Sequence, residues 1–409
     1  PRSTLFPYTT LFRSVLLALT FFISGLTGLA PGEAVSLETT IIWSTLPTCP
    51  ASFFVGFLFV LAGSYWNESR QLRGVERLGA GGTIFLVESA GSCLGLMLYT
   101  FILVGRTGPI QILALFMGLI LFFLFLSLPR LFSARIFYIL ILGALACGWV
   151  LTGLGDRLDR AAEKARFALT HPGYTELAYR ETPYQHLTLA SRGDETSLFG
   201  NQAFMGSWPD PYRYQVMSLF FLTEAPRTDR ILLVGQGPGG FIHELLRPDV
   251  KNLTYVTIDP DEVSLVRERL TPGQAEDLKD PRVRLVHDDP RRFMAQPGGI
   301  PFDLIIINAP DPDNARLNRL FTLEFFQAAR NRLSSEGVLI TSISGADNYW
   351  GREIVSYGRS LYHTLARVFP EIMVTPGDRH YFICGVTPGL VTNDVEVLAQ
   401  RYRSRGFES

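Results

Sequence analysis

The sequence is poor in the residues that build disulfide frameworks and metal sites. It has four cysteines among 409 residues, and no two of them form a C-x-x-C pair. Its six histidines are scattered and include no H-x-x-x-H pair. We therefore expect neither a disulfide scaffold nor a zinc site, and we predict that the protein binds no metal. The cysteines are Cys49, Cys93, Cys147 and Cys384.

Charge is also scarce, above all in the first half of the chain. Between Ser14 and Trp66 the only carboxylate or basic side chains are Glu33 and Glu38, whereas after Gly153 charged residues recur every few positions. Only 18% of all residues are charged and the mean hydropathy is +0.19, which is apolar for a soluble protein. The two halves therefore face different solvents. The formal net charge of −1 provides no overall basic field, so we expect no nucleic-acid partner.

The first residues do not read as part of a fold. Residues 1–14, PRSTLFPYTTLFRS, resemble translated sequencing-adaptor sequence. We interpret them as a non-native leader and leave them out of the fold argument.

Long apolar runs follow one another between residues 15 and 153. A helix needs about 20 apolar residues to cross the hydrocarbon core of a bilayer, and five runs approach or reach that length. We therefore predict a transmembrane helical domain over residues 15–153, with about five spans and the lipid bilayer as its partner. The runs are Val15–Ala30, Ala51–Trp66, Thr83–Gly105, Gly108–Leu128 and Ala134–Gly153.

The basic residues around these runs leave the orientation open. Arginines between the second and third runs and between the fourth and fifth would be cytoplasmic by the positive-inside rule. Five spans would then place the C-terminal half outside, yet a basic cluster directly after the fifth run favours the inside. Glu88 lies near the start of the third run, where it either serves a function or reaches the lipid headgroups.

The second half of the chain has the pattern of an α/β domain. Residues 154–180 are predicted to form a charged helical linker, and residues 387–409 a tail with a short amphipathic helix. Between them, over residues 181–386, short β-type runs alternate with helical stretches, which predicts a parallel sheet of the Rossmann-like type. The β-type runs are 231–235, 253–258, 283–287, 303–308, 337–343 and 379–385.

Glycines and acids follow these strands where a ligand would bind. The first run ends in the G-x-G-x-x-G loop 235–240, directly before a helical stretch. Such a loop lets a ligand approach the backbone, although an ordinary glycine turn is the alternative interpretation. Asp259, Asp289 and Asp311 follow the next three strands. The carboxyl ends of parallel strands share one edge of a sheet, so we expect these acids near the loop.

Several segments in order carry a resemblance to a known family. From about Thr182 to Gly385 the chain resembles the spermidine synthases, or polyamine aminopropyltransferases. As a whole, with FFISGLTG (21–28) and IFLVESAGS (84–92), it looks like the membrane-fused spermidine synthase-like proteins of bacteria. The segments are TPYQHLTL (182–189), LFGNQ (198–202), LLVGQGPGG (232–240), DPRVRLVHDDPRRFM (280–294) and FDLIIINAPDPDNARLNRLFTLEFF (302–326).

The resemblance implies a fold, a location and a reaction. It implies a multi-pass helical membrane domain joined to an S-adenosylmethionine-dependent, transferase-type Rossmann domain with a small N-terminal β-hairpin region. It also implies a bacterial inner membrane location with the soluble domain in the cytoplasm. The co-substrate would be S-adenosylmethionine or its decarboxylated form, the acceptor an amine, and a homo-oligomer is left open.

The resemblance also assigns roles to individual residues. The first Asp of a D-x-x-D pair deprotonates the amine in the family, the second orients it, and the acid after the second strand holds the ribose. The implied catalytic residues are Asp311, Asn308 and Tyr214. The implied cofactor-binding residues are Gln185, Gly235, Gly237, Gly240, Thr257, Asp259 and Asp289.

The chain departs from the family pattern at the positions that bind the amine and the ribose. Asn308 replaces the first Asp of the pair, and an amide cannot accept a proton at neutral pH. Thr257 stands at the ribose-acid position, Pro238 replaces the loop Asp, and Gln215 and Val216 replace a His-Glu pair. Transfer of an aminopropyl group to putrescine is therefore doubtful. We keep three hypotheses: a membrane-tethered transferase with an unknown acceptor, a non-catalytic nucleoside- or polyamine-binding sensor or scaffold, and a transporter with a regulatory domain.

Overall fold

The computed structural model describes most of the C-terminal half and parts of the N-terminal half. The described residues are 38, 41, 45, 49, 53, 60, 64, 80–103, 112, 153–246, 250–296, 298–312, 315–346 and 351–407. The chain divides into two compact units, Pro1–Gly173 and Tyr174–Ser409. The predicted leader lies outside the described residues, and so do four of the five predicted spans except for single positions.

The described part of the N-terminal unit contains one long apolar helix. Helix α1, Ala80–Leu98, continues into a π-helical turn at Tyr99–Leu103. Within it, the 19 residues Phe85–Leu103 are long and apolar enough to cross a membrane. They coincide with the predicted third span, and large apolar side chains such as Leu94 are exposed. A single helix of this kind is weak evidence for a membrane domain, so the multi-pass arrangement stays a prediction.

The predicted linker is helical over only part of its length. Helix α2, Leu154–Thr170, matches the charged run, but the chain then turns and enters a strand at Thr175. The last ten residues of 154–180 therefore differ from the predicted helix. Thr175–Glu181 is a strand because it pairs antiparallel with His186–Arg192, and the five residues between its two ends are partly buried.

The C-terminal unit begins with a small antiparallel sheet. A two-residue turn joins its last two strands, with Asn201 and Gln202 at positive φ. Leu187 and Leu189 point to the same face and pack around Trp208. The predicted β-hairpin region is thus a four-stranded meander in the order β1-β2-β3-β4. Its strands are β1 Thr175–Glu181, β2 His186–Arg192, β3 Glu195–Gly200 and β4 Ala203–Trp208.

A seven-stranded sheet follows, in the order β10-β11-β9-β8-β5-β6-β7. Strands β5 to β9 pair in parallel, which confirms the Rossmann-like prediction. Strand β11 is antiparallel to both of its neighbours, and the short strand β10 was not predicted. The strands are β5 Arg230–Gly235, β6 Asn252–Thr257, β7 Val283–His287, β8 Phe302–Asn308, β9 Leu333–Ser344, β10 Glu371–Val374 and β11 Arg379–Gly385.

The central strands are buried on both faces by helices. In β5, Leu232 and Val234 belong to one hydrophobic cluster, while Ile231 and Leu233 belong to another. Successive side chains of a strand point to opposite faces, so one cluster lies on each side of the sheet. The helices are α3 Pro211–Glu224, α4 Phe241–Leu245, α5 Pro260–Arg267, α6 Pro272–Asp277, α7 Pro290–Ala295, α8 Ala315–Asn318, α9 Leu323–Arg330, α10 Arg352–Ala366 and α11 Val395–Ser404.

The helix predicted in the tail docks on the end of α3. Arg401 donates through Nη1 to the carbonyl of Glu224 at 2.6 Å, and Arg405 donates to the carbonyl of Ala225 at 2.6 Å. These arginines satisfy carbonyl groups at the C-terminus of α3, where cations are favoured. The Glu224 side chain is buried beneath them, and this burial raises its pKa to about 7 although Arg401 opposes the shift.

We predict that Glu224 makes the stability of this domain fall as the pH rises. The folded protein keeps a proton on Glu224 that the unfolded chain releases at an ordinary pKa of 4.5, so stability is lost as pH rises towards and through 7. The loss should be on the order of 2–3 kcal/mol, measured by urea unfolding of the purified chain at pH 5 and pH 8. Glu224→Gln should remove it. Glu396→Gln, an exposed acid on α11, is the control and should leave the pH dependence unchanged.

Candidate functional site

The glycine loop lies at the topological switch point of the large sheet. From β5 the chain moves outward to β6, while β8 pairs on the other side of β5. Gly235, the last residue of β5, is in register with Asn308, the last residue of β8. Ligands of open α/β sheets bind in the crevice at such a point. The topology therefore brings the loop and the predicted base position together.

The glycines of the loop are required by contacts within the protein. Gly235 and Gly240 adopt φ values of +100° and +120°, which side chains rarely tolerate. A Cβ on Gly235 would lie 2.3 Å from the carbonyl oxygen of Asn308, and one on Gly237 would lie 2.6 Å from Leu233 Cδ2. The loop is thus held close to the sheet, and Tyr255 donates from its hydroxyl to the carbonyl of Gly235 at 2.8 Å.

Asn308 fastens this loop with two hydrogen bonds. Its side-chain Nδ2 donates to the carbonyl of Gln236 at 2.6 Å, and its own carbonyl accepts from the amide of Gln236 at 2.7 Å. The first bond needs a donor, which an amide supplies and an ionised carboxylate does not. The replacement of the family's Asp by Asn308 is therefore accommodated by the local structure.

A cleft with about 290 Å³ of empty space, including its open mouth, lies against the loop. One wall is formed by residues 236–239 and Asn308. Trp208, Tyr214 and Glu262 also line the cleft. The lining of the cleft thus combines a glycine loop, aromatic side chains and a carboxyl group.

Tyr214 and Trp208 are fixed in place from the side of the small sheet. Trp208 donates from Nε1 to the carbonyl of Arg269 at 2.9 Å. The Tyr214 ring stacks on Phe241 with 5.9 Å between centroids, and a Cβ on Gly206 would lie 2.7 Å from its hydroxyl oxygen. Burial raises the pKa of Tyr214 above its ordinary value of 10, so the phenol stays protonated and cannot act as the base at neutral pH.

Asp259, the acid predicted to hold the ribose, forms hydrogen bonds with other residues of the protein. Asp259 is fully buried and caps α5 by accepting from the amide of Asp261 at 3.1 Å. Its other oxygen accepts from Thr182 Oγ1 at 2.8 Å and from Gln185 Nε2 at 3.3 Å. Thr257 is also buried and accepts from the amide of Asp259. This set fastens the small sheet to α5 and does not line the cleft.

The other two predicted acids lie in ion pairs outside the lining of this cleft. Asp289 caps α7 and forms an ion pair with Arg319 at 2.9 Å. Asp311 accepts from the amide of Ser344 at 3.0 Å and lies 3.5 Å from Arg379 Nη2. The sequence analysis assigned no role to either arginine. The ligand-binding roles of Asp289 and Asp311 stay predictions.

The structure therefore gathers only part of the predicted site. Gly237, Tyr214 and Asn308 line the cleft, whereas Gly235 and Gly240 shape the loop. Gln236 and Glu262 line it too and were not predicted. Glu262 could have been found from the helical pattern, because it shares the buried face of α5 with apolar neighbours. Among the described residues, no group of three or more metal-ligating side chains is close enough to hold an ion.

Comparisons with known proteins agree with this geometry. The family model described as the spermine/spermidine synthase domain matches residues 213–376. This segment of the chain is similar to the spermine/spermidine synthase domain. The polyamine aminopropyltransferase of Corynebacterium efficiens is 30% identical over 287 residues, which cover 66% of this chain and 53% of that protein. The polyamine aminopropyltransferase of Mycobacterium tuberculosis is 32% identical over 169 residues, 40% of this chain and 32% of that protein.

The likeness has a limited extent. The chain spans about half the length of the first of these relatives and about a third of the second. A solved spermidine synthase in complex with the transition-state analogue AdoDATO is 19% identical, covering 57% of this chain and 89% of that chain with a TM-score of 0.46. The relatives named as polyamine aminopropyltransferases are transferases. The segment that the family model matches, residues 213–376, includes the glycine loop and Asn308.

We predict that Asn308→Asp weakens the glycine loop. The carboxylate would lose the donated hydrogen bond and face the carbonyl oxygen of Gln236, which should cost about 1–3 kcal/mol in the free energy of unfolding. Urea unfolding measures this loss, and faster hydrogen exchange of the Gln236 amide would locate it. Asn331→Asp makes the same change at an exposed helix end and should have little effect. An unchanged free energy of unfolding in Asn308→Asp would show that the hydrogen bond from the Asn308 side chain to Gln236 does not stabilise the loop.

Proposed function

We propose that this protein is a membrane-anchored, spermidine synthase-like transferase that binds S-adenosylmethionine or its decarboxylated form. The observation that carries the proposal is the cleft at the switch point, walled by the glycine loop and Asn308 inside the segment similar to spermidine synthases. The glycine loop borders the space in which a nucleoside would lie, and the aromatic side chains of Trp208 and Tyr214 line the same cleft.

The chemistry of such a donor fits a site that lacks a strong base at position 308. A nucleophile on the acceptor attacks a carbon bonded to the sulfonium, a new bond forms to that carbon, and the C–S bond breaks. Its electron pair returns to sulfur and leaves a neutral thioether. Positioning supplies much of the rate, because the sulfonium is already an activated leaving group. The acceptor must still lose a proton if it is an amine, and Asn308 cannot take that proton.

The acceptor is therefore the part of the reaction that differs from putrescine aminopropyl transfer. A diamine carries two positive charges, and the Asp, His and Glu that would bind it are replaced by Asn308, Gln215 and Val216. Asp311, the remaining acid of the pair, is engaged with Arg379 and the amide of Ser344. We propose an acceptor that lies close to the lipid and needs less acidic recognition. We propose anchoring in the bacterial inner membrane through apolar segments such as Phe85–Leu103. The basic residues that flank the apolar runs leave open on which side of the membrane the catalytic domain lies.

A non-catalytic sensor or scaffold that binds a nucleoside or a polyamine is the second candidate. The observation in its favour is that Asn308 is hydrogen-bonded to the loop while Asp289 and Asp311 are paired with arginines. Such a site can bind without reacting. Binding of a nucleoside ligand without group transfer to any amine or lipid acceptor would favour this candidate.

Calorimetric titration of the purified full chain in detergent tests the proposal. S-Adenosylmethionine, decarboxylated S-adenosylmethionine and methylthioadenosine are titrated separately. We expect at least one to bind with a dissociation constant in the micromolar range. Gly237→Leu, which would push a side chain against Leu233 and Tyr255, should abolish that binding. Absence of heat from all three ligands with the wild-type chain would remove the transferase proposal.

We also predict that Asn308→Asp alone does not create spermidine synthesis from putrescine. The family's His and Glu are absent at positions 215 and 216, so a restored base would still lack the groups that hold the diamine. The product is measured by chromatography with decarboxylated S-adenosylmethionine as donor. The matched comparison is the triple variant Asn308→Asp, Gln215→His, Val216→Glu, which should form more spermidine than the single variant. Rapid spermidine formation by the single variant would show that the absence of His and Glu at positions 215 and 216 does not prevent the reaction.

A further inference from the structure

We infer that Gln236 makes the cleft select S-adenosylmethionine over its decarboxylated form as the donor. This inference rests on the proposed function, in which the choice between the two donors is open. It assigns to the side-chain amide of Gln236 the recognition of the donor's carboxylate, which is the group that decarboxylation removes.

Gln236 begins the glycine loop and lines the cleft. Both of its backbone groups are bonded to Asn308, since its amide donates to the Asn308 carbonyl at 2.7 Å and its carbonyl accepts from Asn308 Nδ2 at 2.6 Å. The residue directly follows β5 at the switch point, where ligands of open α/β sheets bind. Because its backbone is held on both sides, the start of its side chain is fixed relative to the cleft.

The side-chain amide of Gln236 is available to a ligand. It makes no hydrogen bond within the part of the chain that the structure describes, and the residue is only partly buried. Two other side-chain N–H groups of the lining are committed, because Trp208 donates to the carbonyl of Arg269 and Asn308 donates to that of Gln236. An amide side chain carries two donor hydrogens and an acceptor oxygen. Gln236 can therefore donate to a ligand without losing a contact within the protein.

The two donors differ by a single group. Both carry a sulfonium and an ammonium, and S-adenosylmethionine carries a carboxylate in addition. The carboxyl group of Glu262 also lines the cleft, but the sulfonium and the ammonium that it could meet are common to both donors. A hydrogen bond from an amide to a carboxylate is charge-assisted and stronger than one between neutral groups. An available N–H at Gln236 therefore favours the donor that has the carboxylate.

The loop contains no acid that would oppose a carboxylate. Its six residues, 235–240, read GQGPGG, and Pro238 stands where the family pattern has Asp. Asp259 and Asp289, which follow the next two strands, lie outside the lining of the cleft. A donor carboxylate beside the loop thus meets the Gln236 amide and no acidic side chain of the loop.

Selection of S-adenosylmethionine changes which group is transferred. The acceptor attacks the methyl carbon or the first side-chain carbon on the sulfonium, the C–S bond breaks, and its electron pair leaves a neutral thioether. An amine acceptor then releases a proton to water. The group transferred is a methyl or a 3-amino-3-carboxypropyl group, and an aminopropyl group is not available from this donor. The replaced diamine-binding residues at positions 215, 216 and 308 agree with such a reaction.

Calorimetric titration of the full chain in detergent with S-adenosylmethionine and its decarboxylated form tests the inference. The wild-type chain should bind S-adenosylmethionine about tenfold more tightly or better, which is the scale of one hydrogen bond to a charged group. Gln236→Met keeps a side chain of similar length without the donor and should bring the ratio of the two dissociation constants close to one. Gln327→Met makes the same change on the exposed side of α9 and should keep the wild-type ratio.

A second variant, Gln236→Glu, has the opposite expectation. A carboxylate of the same shape repels the donor's carboxylate and attracts the ammonium, so at neutral pH the preference should reverse in favour of the decarboxylated form. Gln327→Glu adds the same charge on α9 and should keep the wild-type ratio.

The outcomes separate this inference from the proposed function. A wild-type ratio close to one, or one that favours the decarboxylated form, overturns the inference and leaves the transferase proposal standing. A wild-type ratio retained in Gln236→Met or in Gln236→Glu overturns it as well. Absence of binding of both ligands to the wild-type chain removes the proposed function together with the inference.

Discussion

The backbone contact between the ends of β5 and β8 is the constraint on which the site depends. The carbonyl of Asn308 lies so close to Gly235 that a Cβ there would be 2.3 Å away, and the same carbonyl accepts from Gln236. The Asn308 side chain adds a second hydrogen bond to this loop residue. Because the loop is fastened at its start, its remaining residues form a fixed wall of the cleft. The identity of residue 308 thus affects the geometry of the loop.

Helix capping explains where the acids at the strand ends are used. Asp259 and Asp289 each precede a proline and each accept from a backbone amide two residues later. Asp at the N-cap with Pro at the next position is a common way to begin a helix, because it satisfies an amide and pre-sets φ. These carboxylates also reach Gln185 and Arg319, so they join the helix starts to distant segments. A carboxylate committed in this way contributes less negative potential to a neighbouring ligand site.

The proposed function is based on what this arrangement shares with the similar proteins and on where it differs from them. The cleft is lined by the glycine loop and by aromatic side chains, which is the basis for proposing a nucleoside ligand. The replaced residues are those that would hold and deprotonate a diamine. A transferase with a different acceptor combines both observations. The relatives are longer than this chain, and that proposal therefore concerns the part of the protein that they share.

The sequence by itself determined the alternation of strands and helices in the Rossmann-like domain, the turn at Gly235 and the extent of β11. These features depend on local patterns, because alternating apolar runs and glycines with positive φ are recognisable without knowing the neighbours. Strand β10 was missed because its four residues, Glu371–Val374, are too short to show a period. Only the tertiary structure decided which acids face the cleft. That outcome depends on contacts between carboxylate oxygens and residues from distant parts of the chain, such as Gln185 and Arg319. The position of an acid at the end of a strand in the sequence does not contain that information.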